Sequence, residues 1–154
     1  MKRQALALAA AALLQGHAAL ATTELEFWHS MTGTSGVEIN ELASRFNASQ
    51  QNYRVIPVFK GAYEESLAAG IAAFRARNAP HIIQVFDAGT AAMMTARATV
   101  KPLYQLMAEA GEKFDARAYM PAVSSYYADS GGRLMSLPFN SSTAVLFYNK
   151  DAFK

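Results

Sequence analysis

Between residues 23 and 90 the chain changes several times from a short apolar or alternating run to a longer run with helical spacing. Residues 25–29 (LEFWH) alternate and carry two aromatics, which predicts a strand. Residues 32–36 (TGTSG) have turn chemistry. Ile39, Leu42, Ala43 and Phe46 then recur at i, i+3, i+4 and i+7, the apolar stripe of a helix. Residues 53–59 (YRVIPVF) predict a second strand, in which Pro57 argues for an edge position or an irregularity. After a loop at 60–62, a helix is predicted over 64–77, with Leu67, Ile71 and Phe74 on one face. Glu64 and Glu65 open it and Arg75 and Arg77 close it, the order of signs that a helix dipole favours. Asn78 to Pro80 break the pattern. Residues 81–86 (HIIQVF) predict a third strand, apolar enough for a central place with both faces buried.

The later pattern is more broken. It predicts a turn over 87–90, helices over 91–98 and 103–110, partial helix over 115–127 and a tight turn over 129–132. Strands are predicted over 133–137 and 143–149, and residues 151–154 open another helix. Strands alternating with helices in this way predict an α/β fold with a mostly parallel sheet flanked by helices. In open parallel sheets ligands gather beyond the carboxyl ends of the strands. That rule selects the loops at 29–36, 60–63 and 87–90, each with polar or aromatic side chains able to orient a small polar ligand.

The first residues change the charge picture. Lys2 and Arg3 precede an apolar or small run over 5–14, and Ala19-Leu20-Ala21 has the form of a secretory cleavage site. Residues 1–21 therefore read as a signal peptide cleaved after Ala21, its apolar run too short for the roughly 20 residues that span a bilayer. The chain has 14 Lys and Arg against 12 Asp and Glu; losing Lys2 and Arg3 leaves 12 against 12. The basic pI thus gives no support for nucleic acid or an anionic membrane as partner. No basic cluster is interleaved with aromatics. The absence of cysteine removes thiolate metal sites and a cysteine nucleophile, and leaves an exported chain to rely on its core.

Enzymatic motifs fail in turn. Residues 33–36 form neither a nucleophile elbow nor a nucleotide-binding loop. His29 and His81 lie far apart, with no metal-ligand spacing. Adjacent Glu64 and Glu65 point in different directions on a helix and make no catalytic dyad. No catalytic residue, metal or cofactor is expected. Trp28 and His29 are weaker candidates for ligand contact, with core packing and a hydrogen-bonded loop as their plainer readings. Asp87 alone would cap a helix over 88–91. Tyr63 could staple its own helix, and Ser141 and Ser142 could bond their own backbone.

Three blocks go further: FWHSMTGTSG, FKGAYEESLAAGIAAFRARNAPHIIQVFDAGTAAMM and LPFNSSTAVLFYNKDAFK. Together they resemble the glycerol-phosphate branch of the extracellular solute-binding proteins, the periplasmic receptors of ABC importers. The resemblance runs from about Thr23 to Lys154. It implies two α/β lobes joined by crossing segments that close on a ligand. Residues 22–137 then correspond to an N-terminal lobe, and 138–154 to the first crossing and the start of a truncated second lobe. The resemblance places ligand contacts on Tyr63, Asp87 and Ser142, with Ser141 as a weaker neighbour. Asp87 departs from the branch, which has Glu there; one methylene less favours a water-mediated contact. It further implies sn-glycerol-3-phosphate, or a glycerophosphodiester, as ligand. The partners would be the permease and ATPase of an importer, with no enzymatic activity and a periplasmic location without membrane insertion after cleavage. A sugar or oligosaccharide receptor of the same superfamily is the competing reading. A small exported α/β hydrolase is another, from a different class.

Overall fold

The computed structural model describes residues 21–96, 99–113, 115–142 and 144–154. The predicted leader, apart from Ala21, lies outside the described residues. So do Arg97 and Ala98 of the predicted helix 91–98, and Thr143. Strand β1 (Thr23–His29) is followed by helix α1 (Gly33–Ser49), strand β2 (Tyr53–Phe59) and helix α2 (Tyr63–Arg75). A short strand β3 (Ile82–Ile83) leads into helices α3 (Asp87–Thr95), α4 (Leu103–Ala110) and α5 (Pro121–Tyr126), with a single 3-10 turn at Ala116–Ala118 before α5. The sheet is wholly parallel in the order β2-β1-β3. The α/β class read from the pattern is therefore the class observed.

β1 and β2 pair along their full lengths, Thr23 opposite Tyr53 and His29 opposite Phe59. From β2 the chain returns across β1 to reach β3. Right-handed crossovers in opposite directions place α1 and α2 on opposite faces of the sheet. α2 packs closely: a Cβ at Gly70 would stand 2.6 Å from Ile83 Cδ1. Ile83 pairs with Trp28, so α2 covers the face that carries Trp28. Ile39 and Ala43 of the predicted α1 stripe are buried, whereas Leu42 and Phe46 are largely exposed.

The proline in β2 has a local explanation. The Val55 N–H donates to Asn47 Oδ1 at 2.7 Å and its carbonyl accepts from Asn47 Nδ2 at 2.9 Å. Gln50 does the same for Tyr53, at 2.8 and 2.6 Å. In a parallel strand alternate residues direct both backbone groups to the same side. Tyr53, Val55 and Pro57 thus all face away from β1, and Pro57 sits where the β1 ladder needs no N–H. β2 is an edge strand, as Pro57 predicted. At the start of α2, Gly61 has φ +87°, and a Cβ there would meet Glu65 Oε2 at 2.1 Å. That carboxylate is held by the Ala62 N–H at 2.8 Å. Glycine is favoured here, because a side chain would be strained at this φ and would push the Glu65 carboxylate off the Ala62 N–H.

Several expectations need correction. Residues 33–36 are not a turn ahead of the helix but the first turn of α1. The third strand is neither central nor buried on both faces. It has two residues, lies at the side of β1 away from β2, and leaves Ile82 45% exposed. Pro80 and His81 delay its start: the place of a ladder carbonyl is taken by His81 Nδ1, which accepts from the Glu26 N–H at 3.1 Å. At its other end the Ser30 N–H donates to the Gln84 side chain at 3.0 Å instead of to a strand carbonyl, so the ladder does not run on through 84–86. Residues 87–90 are not a free turn but the first turn of α3. The predicted strand over 133–137 is absent, leaving one antiparallel bridge between Ala128 and Leu134. The Leu134 and Met135 carbonyls accept instead from the first amides of α4, Tyr104 and Leu103, each at 3.0 Å. The described part of the predicted strand 143–149 has no partner strand among the described residues. The tight turn at 129–132 is as read, with the Gly132 N–H on the Asp129 carbonyl at 2.9 Å. The Arg133 guanidinium beside Asp129 holds that carboxyl below the usual carboxylate range.

Candidate functional site

The carboxyl ends of β1, β2 and β3 open onto the segments 30–32, 60–62 and 84–86. Backbone hydrogen bonds hold these segments together: the Lys60 N–H donates to the His29 carbonyl at 3.0 Å, and the Gln84 N–H to the Trp28 carbonyl at 2.8 Å. Tyr63 is the first residue of α2 and Asp87 the first of α3. The first amides of a helix have no intrahelical acceptor, so both side chains stand beside free N–H groups and a positive dipole end. The Asp87 side chain is exposed. Tyr63 is half-buried, its ring 5.6 Å from that of Phe86, the residue immediately before Asp87.

The crossing segment reaches this region from the far end of the chain. Phe139 meets Phe27 edge-on at 5.8 Å. Asn140 Oδ1 accepts from Gln84 Nε2 at 3.2 Å, and Asn140 Nδ2 donates to Met31 Sδ at 3.2 Å. Ser141 Oγ lies 3.5 Å from Tyr127 Oη, and Ser142 comes next with its side chain exposed. The preceding Tyr126 donates its hydroxyl to the Asp87 carbonyl at 2.8 Å. Tyr63, Asp87 and Ser141 are thereby joined by one run of contacts through Phe86, Tyr126 and Tyr127.

The two remaining candidates stand differently. Trp28 is buried, its indole Nε1–H donates to Glu26 Oε2 at 3.0 Å, and Lys60 Nζ lies 3.9 Å above its ring. His29 is 4% exposed between Phe27 and Phe59. Burial pushes its pKa down, because the charged imidazolium would lose its hydration. Nδ1 of the neutral ring accepts from the Met31 N–H at 3.3 Å. This fixes the turn into α1.

Pattern reading misses Gln84, Asn140, Tyr126 and Tyr127. Gln84 leaves a signal, as a lone amide inside an apolar run. The two tyrosines leave none, because they lie at the end of a helix of six residues, too short to show a period. Among the described residues no group of three or more His, Cys, Asp and Glu side chains could hold a metal ion. The exposed groups are a carboxylate and hydroxyls. They offer hydrogen-bond acceptors and donors to a hydroxylated ligand, with neither an activated nucleophile nor a base beside one. An open depression lined by Asn40, Asn47, Arg54 and Val55 lies toward the amino-terminal ends of the strands, away from this cluster.

A profile of the family described as "Bacterial extracellular solute-binding protein" matches residues 32–154. The chain belongs to this family. It is similar to the sn-glycerol-3-phosphate-binding periplasmic protein UgpB of Yersinia enterocolitica, with 56% identity over 137 residues, 88% of this chain and 31% of that protein. It is also similar to UgpB of Escherichia coli, with 54% identity over 149 residues, 96% of this chain and 34% of that protein. The chain thus spans about a third of the length of these relatives. The resemblance read from the three sequence blocks is the one these comparisons support. No helix among the described residues is long and apolar enough to cross a membrane.

Proposed function

We propose that this chain is the ligand-binding first lobe of a periplasmic receptor that captures sn-glycerol-3-phosphate for an ABC importer. It carries out no chemistry on its ligand and needs no cofactor. The observation that carries the reading is the 54–56% identity, across nearly the whole chain, to proteins named for binding that ligand. The geometry is compatible with it. Tyr63 and Asp87 stand at helix starts beside the strand ends, and the Ser141-Ser142 crossing is tied to the same place. In this reading the Asp87 carboxylate accepts from glycerol hydroxyls, directly or through water, and the Tyr63 and Ser142 hydroxyls complete the contacts. Residues 22–137 form the lobe, 138–142 the crossing, and the residues beyond 142 begin the opposing wall. The leader is removed after Ala21, and the receptor hands its ligand to a membrane permease driven by an ATPase.

Titration calorimetry on the secreted product of the intact gene tests this. Micromolar or tighter binding of sn-glycerol-3-phosphate is expected. Tyr63→Phe, Asp87→Ala and Ser142→Ala should each weaken it by roughly ten- to a hundredfold, the usual effect of losing a hydrogen bond that involves a charged group. Asp87→Glu should bind at least as well as the parent. Unchanged affinity in all three deletions would remove this site. Binding of a maltooligosaccharide instead of the phosphate ester would replace the ligand.

A further inference from the structure

Gln84 is a polar side chain in an apolar strand end, only 8% exposed, and such a group costs free energy to bury unless it is bonded. Its oxygen accepts from the Ser30 N–H at 3.0 Å, just past the end of β1. With the oxygen so committed, the amide nitrogen must face away from β1. There it donates to Asn140 Oδ1 at 3.2 Å, 56 residues along the chain. Asn140 has φ +44°, a left-handed conformation that costs most residues strain but that asparagine tolerates. Its own amide nitrogen is turned to Met31. Asn140 therefore touches both the end of β3 and the turn after β1, and it stands directly before Ser141 and Ser142.

We infer that the Gln84–Asn140 side-chain bond fixes the crossing segment to the strand ends and so presents Ser141 and Ser142 to the ligand. The inference rests on the receptor reading for its consequence, but not for the tie itself. Gln84 and Asn140 are positioning residues. Neither is required to touch the ligand. The left-handed turn at Asn140 sets the direction in which the serine hydroxyls leave, and Gln84 holds that turn against β1 and β3. Without it, each binding event would have to order the crossing afresh, which lowers affinity without removing a contact.

The test uses the secreted product of the intact gene and two readouts. Backbone amide order parameters over residues 139–142 report the tie with no ligand present. Asn140→Gly keeps the left-handed backbone accessible and removes the side chain. Gln84→Leu removes the partner from the far side. Each should lower the order parameters of 139–142 from the roughly 0.85 of rigid backbone to below about 0.6, while β1 and β2 keep the parent values. Asn140→Asp retains the acceptor for Gln84 and should stay closer to the parent than Asn140→Gly does. Each single variant also loses a bond of its own, Asn140 to Met31 and Gln84 to Ser30, so the double variant should be no looser than the looser single one. For sn-glycerol-3-phosphate, each single variant should bind about five- to tenfold more weakly, and the double variant no worse than the weaker single one. Parent-like order parameters in Gln84→Leu, or additive effects in the double variant, would overturn the inference. If the parent itself gives no heat with sn-glycerol-3-phosphate, the receptor reading fails, while the order parameters still decide whether the tie exists.

Discussion

Residues 53–59 and residues 144–148 are both short apolar runs with strand-forming side chains, and they end in opposite states. In β2 the inner side pairs with β1 along the whole strand. The outer side is closed by the Gln50 and Asn47 carboxamides and by Pro57, which has no donor to leave open. Residues 144–148 have no strand partner among the described residues. Leu146 is 88% and Phe147 91% exposed. Side-chain preference is similar in the two runs, so preference is not what separates them. A strand needs a ladder on at least one side, and an edge strand needs its other side blocked. β2 has both from its own neighbourhood in the chain, through β1 and the end of α1.

The strongest way to break this contrast is to remove what β1 packs on. Trp28 fills the space between the sheet and α2, with Glu26 on its indole nitrogen and Lys60 on its ring. Trp28→Ala should destabilise the lobe by about 3–5 kcal/mol, the usual cost of deleting a buried large aromatic. Chemical denaturation followed by circular dichroism measures it. At the upper end of that range most of a small domain's stability is gone, and β2 would become as unpartnered as 144–148. A loss below about 1 kcal/mol would mean that Trp28 contributes little to the core.

A smaller change sharpens the contrast, because it opens only the outer side of β2. Asn47→Ala removes two hydrogen bonds from the Val55 backbone and should cost about 1–2 kcal/mol. The freed edge should also raise self-association, detectable by light scattering at rising concentration. Asn47→Asp keeps the acceptor for the Val55 N–H and loses the donor to its carbonyl, so about half the cost should remain. Equal losses in the two variants would show that Asn47 acts by packing and not by mimicking a strand.

How far the sequence can be read depends on the same division. β2 and α4 fall at their predicted bounds and β1 and α2 within two residues of theirs, while α1 contains its predicted stripe but starts at Gly33, inside the stretch read as a turn. In these elements the period or the punctuation is local. The third strand departs from its expected place because an apolar hexapeptide carries no record of its neighbours. Pro80 and the His81 imidazole set its start, the Gln84 side chain on the Ser30 N–H ends its ladder, and the order β2-β1-β3 sets its edge position. Strand 133–137 fails for a related reason: its carbonyls are spent on the start of α4. In the candidate site, Tyr63, Asp87 and Ser142 come from the family resemblance, and the strand-end rule independently selects two of their three loops. What no pattern announces is the scaffold around them. Gln84 with Asn140 and Tyr126 with Asp87 are pairs far apart in the chain, and a single sequence does not say which amide or phenol meets which partner.

The smallest expected effect on stability belongs to the exposed run itself. Leu146 and Phe147 touch little, so replacing both by serine should change the unfolding free energy of residues 22–154 by no more than about 0.5 kcal/mol. Solution behaviour should change much more. An apolar segment with unpaired backbone groups offers both a hydrophobic face and a template for pairing with another chain. Residues 22–154 should therefore associate at concentrations where the Leu146→Ser, Phe147→Ser variant stays monomeric. Ending the chain at Ser142 should have the same effect, since it removes the run and keeps Phe139 on Phe27 and Asn140 on Gln84. Light scattering beside denaturant titration separates the two quantities. If the serine variant associates as strongly as the parent, the sticky surface lies elsewhere, and the exposed Leu42 and Phe46 of α1 are the next residues to change. If it instead loses several kcal/mol of stability, residues 144–148 pack on the lobe in solution, and the contrast with β2 is one of degree.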